Sequence, residues 1–205
     1  MTPDELARAL FEGGFAGAVL TNHFYGGNSG IDRSLSWAEF VRAYEKDYED
    51  CMRAAKEYDL DILFGIEEHL FGGVEVLCYG ITPKVLYDNP FLIERRPEDY
   101  ARVVREAGGV IIQAHPYRTR SYITHPKPLP LEFIDGIEVY NYANSPECNA
   151  AAEEFAKAHP TLILTSGQDS HSPGTATVCG IEFYERVRDE KKLATLLKAG
   201  EFKLI

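Results

Sequence analysis

No apolar run in this chain approaches the roughly 18 residues that a membrane-spanning helix requires. The first residues, MTPDELARALFEGG, lack the basic start and apolar core of a signal peptide. Cysteine is scarce and scattered: Cys51, Cys78, Cys148 and Cys179 form no CxxC pair, so neither a disulfide framework nor a structural zinc knuckle is expected. Positive charge is also short. The 21 Lys and Arg are outnumbered by 32 Asp and Glu, a net charge of −11, whereas a nucleic-acid-binding surface would normally be basic. That acidity does not exclude a phosphorylated substrate, because bound divalent cations reverse the local field. There is no nucleophile elbow, no P-loop, no internal repeat and no linker long enough to divide the chain. What these absences leave is a cytoplasmic protein of one domain, residues 1–205, without a nucleic-acid or membrane partner. Its 45% apolar content is ordinary for a globular core of this length.

What is present alternates between helix and strand. Thr2-Pro3-Asp4-Glu5 and Ser36-Trp37-Ala38-Glu39 read as capping boxes that open two helices, the second running to about Tyr58. Short Val/Ile/Leu runs read as buried strands at 15–21, 61–66, 74–79, 110–113, 136–140, 161–165 and 202–205. Helices are expected at about 97–107, 145–158 and 189–199, and 117–130 as an irregular loop. The alternation predicts an α/β protein with a mainly parallel sheet. A βα repeat normally begins with the strand, and this chain opens on a helix.

Polar clusters follow five of those apolar runs. His23 comes after Ala18–Leu20, Glu67 and His69 after Ile62–Phe64, and His115 and Arg118 after Val110–Gln113. Asn141 ends IEVYN, and Asp169 and His171 follow LILTSGQ. Chemistry on a parallel barrel gathers at the carboxyl ends of its strands, so these positions form one candidate metal centre. Asp169 and His171 bring a carboxylate and an imidazole, although Ser-Gly-Gln-Asp-Ser also suits a plain turn. Glu67 and His69 share a face if the strand continues, with Glu68 pointing away. His69 is then either a ligand or a partner behind one. Asn22 is a poor ligand for zinc or manganese and reads as a capping or orienting group. Arg118 suggests a bound anion at the pocket mouth, against the alternative of a surface salt bridge.

TNH at Thr21–His23, GIE at Gly65–Glu67, AHP at Ala114–Pro116 and GQDSH at Gly167–His171 resemble, in order and spacing, the motifs of the PHP (polymerase and histidinol phosphatase) family. The AHPYR form with Arg118 is most similar to its stand-alone histidinol-phosphatase-like members. The resemblance implies a distorted (β/α)7 barrel with two or three Zn, Mn or Fe ions and hydrolysis of a phosphorylated small molecule. It implies metal ligands at His23, Glu67, His115, Asp169 and His171, with catalytic work for His115, Asp169, His171 and Arg118. The family's opening HxH strand is absent here, its TDH is TNH, and the histidine between its GxE and AHP motifs is missing unless His69 replaces it. Fewer ions are therefore expected, and the edge of the 15–21 strand should be covered by another segment or by a second copy of the chain. A phosphoesterase is the first expectation. A non-catalytic domain binding a phosphorylated ligand, and a metal-dependent C–N hydrolase, are the alternatives.

Overall fold

The computed structural model describes residues 1–172 and 179–205. Helix α1 (Pro3–Glu12) begins on a capping box in which the Thr2 side chain accepts from Glu5 N–H and the Glu5 carboxylate accepts from Thr2 N–H. Strand β1 (Gly17–Leu20) follows, then α2 (Trp37–Ala55), opened in the same way by Ser36 and Glu39. A 3-10 turn at Lys56–Tyr58 leads to β2 (Asp61–His69), which forms a hairpin with β3 (Glu75–Tyr79). Next come α3 (Pro83–Asp88), α4 (Pro97–Glu106), β4 (Val110–Gln113), β5 (Gly136–Asn141), α5 (Pro146–Ala158) and β6 (Ile163–Gly167). The described chain closes with β7 (Ile181–Phe183), α6 (Glu190–Ala199) and β8 (Phe202–Leu204). Helix α3 and strand β7 are not anticipated by the sequence pattern.

Strands β1 to β6 make one sheet in chain order, a curled half-barrel. Five of the six run in the same direction; β3 is antiparallel to both neighbours. The reason is local. Only Leu70–Val74 separates β2 from β3, and a parallel crossover needs a dozen residues or more. Gly72 and Gly73, at φ 58° and 82°, make the reversal in conformations that a side chain would strain. The resemblance implied a (β/α)7 barrel without its first strand; among the described residues the sheet has six strands, with β7 and β8 paired separately.

Side chains alternate across the sheet with a period of two. Phe64, Ile66, Val76, Cys78, Ile111 and Ile137 face outward and are buried beneath α2, α4 and α5. Leu63, Leu77, Val110 and Ile112 face inward, where Leu193 and Leu197 of α6 pack on them. Strands β1 and β6 end the sheet, and each has one sheet neighbour. A cavity of about 1010 Å³ is lined by both, together with Met1–Pro3 and Cys179–Phe183, and it reaches His23, Glu67 and Asp169. Among the described residues no strand pairs with the free edge of β1. No described helix is long and apolar enough to cross a membrane.

Candidate metal centre

Four side chains meet at the open end of the half-barrel. Glu67 points inward from β2, and Glu75 does so from the start of β3, where it is registered against His69. His23 lies just beyond β1 and bridges to Glu67, held by hydrogen bonds from Phe24 N–H to Glu67 O (2.7 Å) and from Glu67 N–H to Asn22 O (3.0 Å). Its Nδ1 is 3.0 Å from Glu67 Oε2 and 3.6 Å from Glu75 Oε1. His115 follows β4. Simple alternation would send its ring outward with Ile111 and Gln113, but its left-handed backbone (φ 32°) breaks the pattern. His115 Nε2 instead stands 3.1 Å from Glu75 Oε2 and 3.7 Å from Glu67 Oε1.

Both ring nitrogens, His23 Nδ1 and His115 Nε2, are buried, and neither makes a properly directed hydrogen bond among the described residues. Buried polar atoms are normally satisfied, so two orphans aimed at two carboxylates call for a shared partner. One ligand atom each from His23, Glu67 and Glu75 all lie within 4.8 Å of one another, the spacing of donors around one ion. An imidazole and two carboxylates at that spacing, with the His115 ring beside them, suit a divalent cation.

The electrostatics fit the same arrangement. Burial opposes protonation of His115, but the Glu67 and Glu75 carboxylates outweigh it and hold its pKa up at about 9. Glu67 raises His23 as well, against burial. Burial works to raise Glu67, yet the two imidazoles hold it well below the usual carboxylate range.

The other candidate residues sit around this core. Arg118 is largely buried, 8% exposed. It donates Nε to Asn144 Oδ1 and Nη2 to Asn141 Oδ1, both at 2.8 Å, and pairs with Asp169 Oδ2 at 2.5 Å. Asn141 is fixed in turn: Asn149 of α5 accepts from its N–H and donates to its carbonyl, each at 3.1 Å. Asp169 has a left-handed backbone (φ 50°), and its Oδ1 is 3.4 Å from His171 Nδ1. The His171 side chain is 70% exposed, with its ring 5.9 Å from that of His23. His69 stands further out, its Nδ1 3.7 Å from Glu75 Oε1. Asn22 is exposed, and its backbone oxygen rather than its amide does the holding, accepting from Glu67 N–H and from the Tyr44 hydroxyl.

Two acidic residues of the site escape the sequence reading. Glu75 opens a strand instead of ending one. Glu138 hides within the apolar IEVYN run; burial raises its pKa, and its Oε2 accepts from His115 N–H (3.0 Å) and Asn141 Nδ2 (2.9 Å). Gly167 makes room for Glu138, since a Cβ there would lie 2.1 Å from Oε1.

Neither a protein-family model nor a curated protein matches this sequence. Solved structures do share its fold. A candidate metal-dependent phosphoesterase from Bifidobacterium adolescentis superimposes with a TM-score of 0.56 at 16% identity, covering 96% of this chain and 90% of its own. An amidohydrolase from Chromobacterium violaceum, crystallised with sulfate and without metal, gives 0.55 at 18% identity, covering 100% and 93%. The lesion-specific endonuclease EndoQ from Pyrococcus furiosus gives 0.53 at 15% identity, covering 90% of this chain and 56% of its own. Identities this low establish a shared fold and nothing finer.

Proposed function

We propose that this chain is a metal-dependent hydrolase of phosphate monoesters, akin to the histidinol-phosphatase-like members of the PHP family. The observation that carries the reading is the pair of buried, unsatisfied ring nitrogens on His23 and His115, both turned toward the Glu67 and Glu75 carboxylates. His23, Glu67, Glu75 and His115 would hold the cation. A bound divalent ion polarises a phosphoryl oxygen and lowers the pKa of a coordinated water.

The remaining steps belong to the chain. Arg118 is locked by Asn141, Asn144 and Asp169, and among the described residues its Nη1 has no acceptor. That nitrogen is offered to a phosphate oxygen, with the planar guanidinium already oriented. Asp169 sets the guanidinium and stands beside His171. With His171 Nδ1 on the Asp169 backbone oxygen at 3.0 Å, Nε2 is the nitrogen left to move a proton at the leaving alkoxide. The fold shared with a candidate phosphoesterase and an endonuclease supports phosphate chemistry. The fold shared with an amidohydrolase supports a second reading, hydrolysis of a C–N bond by the same centre.

Metal content of the purified chain and turnover of p-nitrophenyl phosphate against an anilide decide among these. Stoichiometric metal with phosphate release is expected. Anilide turnover alone moves the assignment to the C–N bond. Neither metal nor turnover leaves a binding domain for a phosphorylated ligand.

A further inference from the structure

Glu68 is a buried carboxylate that the proposed chemistry does not use. It points to the outer face of β2, back to back with Glu67, is 1% exposed, and has no Lys or Arg in an ion pair with it among the described residues. It holds backbone. Its Oε1 accepts from Gly26 N–H at 2.5 Å and from His69 N–H at 3.2 Å. A Cβ on Gly26 would lie 2.7 Å from that oxygen and 2.3 Å from His69 O, so the turn after His23 reaches this depth only with glycine.

The next residue touches the metal centre. A Cβ on Gly27 would lie 2.9 Å from His23 Cβ and 3.2 Å from its Cγ and Nδ1, so the Gly27 backbone rests against the imidazole. From outside, Arg33 closes the turn by donating Nε to Tyr25 O at 2.9 Å and Nη2 to Gly27 O. Gly27 N–H donates to Phe24 O at 3.3 Å within the turn.

We propose that Glu68, acting through the Gly26–Gly27 turn, is a positioning residue that fixes the His23 imidazole with Nδ1 facing Glu67 and Glu75. The proposal rests on reading His23 as a metal ligand. Adjacent strand residues point to opposite faces. Strand β2 therefore presents one ligand inward and props another from behind. Ligand orientation set by surrounding groups commonly governs metal affinity.

The test uses the full chain with Glu68→Leu, Glu68→Gln, Gly27→Ala and, as a control on the exposed face of α2, Arg42→Ala. Mn²⁺ binding is titrated by calorimetry, and the histidine ring resonances of the metal-free protein are followed by ¹H–¹⁵N NMR. Glu68→Leu and Gly27→Ala are expected to weaken Mn²⁺ binding by about 10- to 100-fold. Both should also move the His23 ring resonances. Glu68→Gln keeps an oxygen acceptor and should fall between them and the wild type, and Arg42→Ala should change neither readout. Gly27 is not left-handed, but a Cβ there would lie 2.9 Å from His23 Cβ, so alanine forces the turn or the imidazole to shift. Glu68→Gln, which keeps the shape of the side chain, therefore decides the matter if Glu68→Leu fails to fold. Unmoved His23 resonances with unchanged Mn²⁺ affinity overturn the positioning role. Moved resonances in a chain whose wild type binds no Mn²⁺ keep that role and overturn the metal assignment instead.

Discussion

Glu75 Oε2 lies 3.1 Å from His115 Nε2, although Glu75 sits on the one strand of the sheet that runs against its neighbours. Reversal is what brings it there. The first residue of an antiparallel strand lies at the same rim as the last residues of parallel ones, so Glu75 joins Glu67 and His115 at the open end.

Glu75→Ala is accordingly expected to weaken divalent-metal binding by at least about tenfold, and His69→Ala to weaken it less. Isothermal titration of the two variants ranks them. A larger loss at His69 would show that the ligand assignment has been made one residue pair too far inward.

Metal binding should tighten as pH rises. His115 has an ordinary pKa near 6.5, and its carboxylate neighbours hold it up at about 9 in the folded chain. That shift stabilises the metal-free protein fully below the unfolded value, and the contribution is lost as pH rises through the folded one. A cation needs the neutral ring, so the rise in Tm on adding Mn²⁺ should grow between pH 6.5 and 9. Melts with and without metal across that range check it, and an increment independent of pH would remove His115 from the ligand set.

Arg118→Ala should raise KM for p-nitrophenyl phosphate by about tenfold or more, the worth of a charged hydrogen bond. It should also cost stability, because the largely buried Asp169 carboxylate loses its partner. Arg118→Lys should rescue little, since one ammonium cannot reproduce the planar fork that meets Asn141, Asn144 and Asp169. Steady-state kinetics of the three proteins would settle the point, and an unchanged KM in the alanine variant would take Arg118 out of substrate binding.

Gly17→Ala should destabilise the chain by about 1–3 kcal/mol or more, because overpacked atoms force structure to move. A Cβ at Gly17 would lie 1.9 Å from Asp61 O in the β1–β2 ladder, where the obstacle is backbone. A fall in Tm of about 2–4 °C per kcal/mol is the expected reading for a domain of this size.

Much of the fold is legible from local chemistry. Both capping boxes form as the Ser/Thr-x-x-Glu pattern requires, and Val110–Gln113 is a strand with the bounds its apolar run suggests. The metal centre is legible only where its residues end parallel strands or motifs. Glu75 is hidden because a search of strand ends passes over a strand's beginning, although the five residues between β2 and β3 already rule out a parallel crossover. The inward swing of His115 depends on one left-handed residue, which no hydrophobic period encodes. Glu138 reads as one polar letter in an apolar run, and its role appears only when Gly167 is seen to leave space for it.

The β2–β3 hairpin also bears on the order in which this centre comes together during folding. Glu67 and Glu75 are 8 residues apart in the chain, whereas His23 and His115 lie 44 and 48 residues from Glu67. Hairpins close in about 1–10 μs, long before distant segments pay their loop-closure entropy. Two carboxylates are therefore pressed together while the imidazoles that will neutralise them are still diffusing. Their mutual repulsion taxes the early hairpin, and a divalent cation captured at that moment would relieve it. Refolding should then be faster in Mn²⁺ than in chelator, with the acceleration abolished in Glu75→Ala: the ion would act as a template for the second half of the sheet.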